Sequence, residues 1–193
     1  MKYPSPADIA EMKARGYDST TIAEAERQAE RLGPAHEVCR AIEAAFAGVT
    51  LGGGVGLQEA QGLDDYADAE TCATYRANDE KDDWHRIPVE ALQHCNGSLS
   101  FFDAEGMRFH LPAYLLADLR GDYGYRMAYC LTQITGDYDS YFGLLSRAQR
   151  AAVRAFLLHI LDDADYTFDR PDILRALDTY WTDSSSPEPP ASH

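Results

Sequence analysis

Carboxylates crowd one stretch of this chain: Asp64, Asp65, Asp68 and Glu70, then Asp79, Glu80, Asp82 and Asp83. Such a set can hold a cation, supply acid–base pairs, or dock against arginine and lysine on a partner. No D-x-D-x-D-G run with a closing glutamate aligns here, which removes an EF-type calcium loop. Acid–base work gains no support either, because carboxylates are abundant throughout this acidic chain. Two readings remain for residues 57–83. One is a solvated, mobile excursion, loosely helical because like charges repel at i, i+4. The other is a docking surface for a basic protein.

A second constellation follows at once. Trp84, Arg108 and His110 place an aromatic plane, a cation and an imidazole inside the apolar stretch from Trp84 to Leu119. Together they suggest a small enzyme or ligand-binding pocket. The plainer reading is packing, since His110 in R-F-H-L-P is flanked by core-type residues. Other catalytic signatures are missing. His36-Glu37-Val38-Cys39-Arg40 begins like H-E-x-x-H, but Arg40 stands where the second histidine belongs. Leu51–Gly56 lacks the Lys-Ser/Thr of a phosphate loop and reads as a flexible break. No G-x-S-x-G occurs. Cys39, Cys72, Cys95 and Cys130 are widely spaced and read as reduced thiols. No cofactor and no metal ligand set is implied.

Two further groups lie on one amphipathic segment. Arg147, Arg150 and Arg154 recur at i, i+3, i+7 and are expected to pair with the chain's own acidic flanks. Asp162, Asp163 and Asp165 stand where that helix ends, and the helix dipole disfavours anions there. Arg170 or Arg175 is the expected compensation, with a divalent cation as the sharper option.

The elements that must position these residues are mainly helical. Ser5-Pro6 caps and starts a first helix, and Thr21-Ile22-Ala23-Glu24 fits a capping box for a second that stops at Gly33-Pro34. Pro34 opens a third, with Val38, Ile42 and Phe46 on one face. Ile87-Pro88 starts a short helix ending at Asn96-Gly97. Ser98–Phe102 and Met107–Leu111, joined by the turn Asp103–Gly106, suggest a short hairpin, or else the second runs into a helix from Pro112 to Gly121. Met127, Leu131 and Ile134 mark a helix in the tyrosine-rich stretch 122–142. Ser146–Gln149 caps the clearest helix, whose apolar face is Val153, Phe156, Leu157, Ile160 and Leu161. A last helix carries Ile173, Leu174, Leu177 and Trp181. The expectation is a mainly α, single-core helical domain with a short β-hairpin as an option and α+β as the alternative. Residues 1–34 form a helical lead-in, 35–182 the main domain, and 183–193 a disordered tail.

The net charge of −15 over 193 residues is uneven. Residues 57–83 carry 9 acids and 2 bases, and residues 162–193 carry 8 and 2. Residues 84–161 balance at 7 of each. Without clustered Lys/Arg, nucleic acid and anionic membrane are poor partners. With no apolar leader, the chain is expected in the cytoplasm.

The chain also resembles a bacterial family of uncharacterised proteins. The likeness rests on Ile42, Ala45 and Phe46, Trp84-x-x-Ile87-Pro88, Leu99-Ser100-Phe101, and Arg108-Phe109-x-Leu111-Pro112-Ala113-Tyr114-Leu115. It spans about residues 38–160. The family has no assigned reaction, so the resemblance implies no active site. Small acidic bacterial proteins of this kind suggest an immunity-like or adaptor role by analogy.

Overall fold

The computed structural model describes residues 2–133 and 138–182. Within them the regular structure is α-helix and short 3-10 segments, with no strand. Helix α7 (Ala104–Arg120) is the axis of the core, with 13 of its 17 residues buried. A helix enclosed on all sides carries no polar stripe, so sequence periodicity cannot outline it. Asp103 caps it by accepting the Gly106 N–H at 2.7 Å. The tetrad expected to turn a hairpin is therefore a helix N-terminus, and the hairpin over 98–110 does not form. Residues 96–100 make a 3-10 segment instead. Pro112 lies inside α7 rather than starting it. It withholds the N–H that would have bonded the Arg108 carbonyl. Gly121, at φ +80, closes the helix in the left-handed region.

The other helices wrap this axis. Against α7 pack α3 (Leu32–Ala45), α6 (Val89–His94), α9 (Tyr138–Phe142) and the 3-10 turn Trp84–Arg86. Helix α10 (Arg147–Leu161) packs on α3 and on α11 (Arg170–Thr179), which also meets α8 (Ala128–Thr132). The capping box of α10, Ser146 with Gln149, forms as its sequence predicts. Helices α1 (Pro6–Ala14) and α2 (Ser19–Ala29) pack on each other. Asp18, not Thr21, caps α2. Gly33 and Pro34 sit in the first turn of α3 rather than between helices. Ile134 and the 183–193 tail lie outside the described residues.

Residues 57–83 are not an unpacked excursion. They form α4 (Leu57–Asp64) and α5 (Ala69–Asn78), which pack on each other, with α4 also against residues 96–100. Leu57, Ala60 and Cys72 are buried. The glycine run 51–56 is a fastened turn. Arg76 of α5 donates to the Gly52 carbonyl at 2.9 Å and also to that of Gly54. A Cβ on Gly54 would stand 2.5 Å from the Gly106 nitrogen, so this turn approaches α7 backbone to backbone. No helix among the described residues is long and apolar enough to cross a membrane.

Candidate functional site

The acidic set divides between the two ends of α5, roughly 15 Å apart at 1.5 Å per residue. At the later end the carboxylates serve the fold. Asp79 is buried and accepts the Gln58 and Glu59 N–H groups at 2.8 and 3.2 Å, capping α4 across the chain. Burial raises its pKa, against the pull of those two bonds. Glu80 accepts the N–H groups of Lys81, Asp82 and Asp83, which lower its pKa. Asp83 caps the Trp84 turn and bonds His85, and its pKa falls for that reason. Asp82 alone of this group is exposed.

At the earlier end, Asp68 caps α5 by accepting the Thr71 N–H at 2.8 Å, which lowers its pKa. Among the described residues, Asp64 and Asp65 accept only the Gln61 side-chain amide, at 3.5 and 3.2 Å. Glu70 points to solvent. Among them stands Tyr66, a residue absent from the sequence-based site. It occupies the left-handed region at φ 57 and is 96% exposed. Its N–H bonds the Leu63 carbonyl at 3.2 Å, and Ala67 N–H bonds Gly62 at 2.8 Å. That pair of bonds is a Schellman closure of α4, in which glycine is the usual occupant of the Tyr66 position. Leu63 and Tyr75 are also exposed, at 40% and 39%.

Trp84 and His110 are buried in the core, and Arg108, close to His110 in sequence, stands half-buried. Trp84 is buried and donates from Nε1 to the Phe46 carbonyl at 3.0 Å. His110 stacks on Phe102 with ring centroids 4.4 Å apart and bonds the Gly106 carbonyl through Nδ1 at 2.7 Å. Its Nε2 has no partner, and burial pushes its pKa down to about 4. Arg108 is half-buried with an unpartnered Nε and no carboxylate against it among the described residues. A cavity between α2 and α10 and another beside α8 are lined by none of the three.

A further polar cluster lies where the N-terminus meets the end of α10, and its pattern is invisible in sequence because its members are scattered. Tyr3 donates to Asp163 at 2.6 Å and lies 3.2 Å from His159 Nε2. Lys2 reaches Asp163 at 3.1 Å and Asp165 at 2.5 Å. Arg31 donates to the His159 carbonyl and stacks 5.4 Å over the Tyr3 ring. Burial would raise the Asp163 pKa, but the Tyr3 hydroxyl, the Asp165 N–H and Lys2 together lower it. The compensation expected from Arg170 or Arg175 thus comes chiefly from Lys2. Arg170 stands 4.0 Å from Asp162, and Arg175 pairs with Asp172.

These groups are tuned away from proton transfer near neutrality. Burial drives His159 down to about 4 and Tyr3 up to about 12. The thiols of Cys95 and Cys130 rise to about 11 and about 12 for the same reason. A general base or a thiolate nucleophile needs the opposite adjustment.

Comparison with curated proteins and with solved structures finds no match. The model of DUF6714, described as a family of unknown function, matches residues 34–185, which include the acidic helix pair, the buried Trp84–His110 set and all of α7. The chain therefore belongs to this DUF6714 family.

Proposed function

We propose that the protein is a non-catalytic binding protein, adaptor- or immunity-like, that docks a basic protein on the turn between α4 and α5. The observation that carries this reading is Tyr66. An aromatic residue in the left-handed region costs about 1–2 kcal/mol relative to an ordinary conformation. Its ring, 96% exposed, recovers none of that within the chain. Backbone strain of this kind collects at binding sites, where it holds a side chain ready. Tyrosine also suits the centre of an interface, combining a large rigid surface with a polar tip. Asp64, Asp65 and Glu70 flank it in the chain, and among the described residues their carboxylates accept no backbone N–H, so their charge is available to lysine and arginine. Arginine in particular can stack on the ring while pairing with a carboxylate.

The test is affinity capture with the full chain and with a variant carrying Asp64→Asn, Asp65→Asn and Glu70→Gln. The native chain is expected to retain a basic protein that the variant does not. That protein should be released as added salt shortens the Debye length. Equal retention by both chains would contradict the proposal.

A further inference from the structure

We propose that the tyrosine-walled cavity beside α8 binds a planar aromatic carboxylate. The cavity holds about 530 Å³, and Tyr123, Tyr125, Tyr129 and Tyr141 contribute to its wall. That volume and an apolar wall with a few polar groups are typical of small-molecule sites. Tyr125 and Tyr129 are 59% and 70% exposed, with Tyr125 meeting the Tyr123 ring at 5.7 Å in a tilted contact that leaves most of its surface open. Flat aromatic ligands take such rings in offset or edge-on contact.

The charge of the ligand follows from what lines the cavity. The chain has 32 acids, yet among the described residues no aspartate or glutamate lines this space. Among the described residues its one charged lining residue is Arg126. The Arg126 guanidinium donates to the Asp165 carbonyl and lies 5.5 Å over the Tyr166 ring. Among the described residues no carboxylate forms a salt bridge with it, although buried Asp118 feels its charge. A guanidinium in that state, at an aromatic wall, favours a carboxylate on the ligand. It disfavours a cation, which tyrosines alone would have attracted.

The wall is held in place before any ligand arrives. Gln93 clamps the loop after α7, donating to the Asp122 carbonyl at 2.6 Å and accepting the Gly124 N–H at 3.2 Å. Arg126 itself sits at φ 58, and the next residue, Met127, donates its N–H to buried Asp118 at 2.6 Å. Across the cavity, the Tyr141 hydroxyl donates to the Ser100 carbonyl at 3.2 Å. A preorganised wall reduces the ordering cost of binding.

Three probes of one shape and different charge test the assignment: indole-3-acetate, indole and tryptamine. Calorimetric titration of the full chain should show saturable one-to-one binding of indole-3-acetate and weaker binding of tryptamine. Tyr129→Ala and Arg126→Gln, each checked for native circular dichroism, should weaken indole-3-acetate by about tenfold or more, as losing one charge-assisted or stacking contact implies. Arg126→Gln should leave indole unchanged. Three results would overturn the proposal: tryptamine binding as tightly, no saturable binding of indole-3-acetate, or binding indifferent to both substitutions.

Discussion

The hydroxyl of Tyr166 donates a hydrogen bond to Asp118, a carboxylate buried on the central helix α7. The second oxygen of Asp118 accepts the Met127 N–H at 2.6 Å. Burial raises the Asp118 pKa, and these two donors oppose the rise. Lys2 lies 5.0 Å over the Tyr166 ring, so the same tyrosine joins the core carboxylate to the N-terminal cluster.

Tyr166→Phe should therefore destabilise the fold by about 1–3 kcal/mol, the cost of leaving a buried acceptor without its donor. Urea denaturation measures it. The deficit should shrink in acid, where a proton on Asp118 takes the place of the lost bond. A variant as stable as the native chain would show that Asp118 finds another donor.

Arg150 and Arg154 hold the end of α11 through its last carbonyls and the Tyr180 hydroxyl. Arg150 bonds the Tyr180 hydroxyl and carbonyl, each at 3.1 Å, and lies 4.4 Å over the Tyr180 ring. Arg154 donates to the Trp181 carbonyl at 2.7 Å. Arg150→Ala should cost about 1–3 kcal/mol through lost charged hydrogen bonds. The exposed Arg147→Ala should change stability by less than about 0.5 kcal/mol. Thermal unfolding of the two variants separates these cases, and equal losses would contradict the assignment.

His110 supplies a pH dependence. Burial lowers its pKa from 6.5 to about 4, although the Gly106 carbonyl pulls the other way. The unfolded chain takes up a proton below 6.5 that the folded chain refuses until about 4. Stability is thus full above the upper value, declines between the two, and the whole contribution, about 3 kcal/mol, is lost through the lower one. His159 acts in the same direction, while Asp118 and Asp79, whose pKa values are raised by burial, act against it. His110→Gln should flatten the acid decline across that window in denaturant titrations. An unchanged slope would show that His110 is not its source.

What could be read from sequence follows the physics of each element. The Ser146 cap and the one-sided apolar stripe of α10 are local signals, and that helix matches its expected boundaries. Helix α7 has a cap in Asp103 but no one-sided stripe, being buried all round with a proline inside, so its first half reads from sequence as part of a hairpin. The acidic segment misleads for another reason. Charge counting treats Asp79, Glu80 and Asp83 as surplus, whereas each satisfies backbone N–H groups that only the folded chain aligns. Tyr66 could have been noticed as the residue after Asp64-Asp65, but its left-handed backbone is set by the closure of α4. The cluster of Tyr3, His159 and Asp163 needs contacts across 160 positions of sequence, which spacing alone cannot supply.

Tyr66→Gly tests the docking account most directly. Glycine removes the left-handed strain, so the variant should unfold at higher temperature, by about 1 kcal/mol of added stability. Capture of the basic partner should nevertheless be lost, because the exposed ring is gone while every surrounding carboxylate remains. A variant that is more stable and still retains the same partner would contradict the account, leaving Tyr66 a strained turn residue with no part in binding.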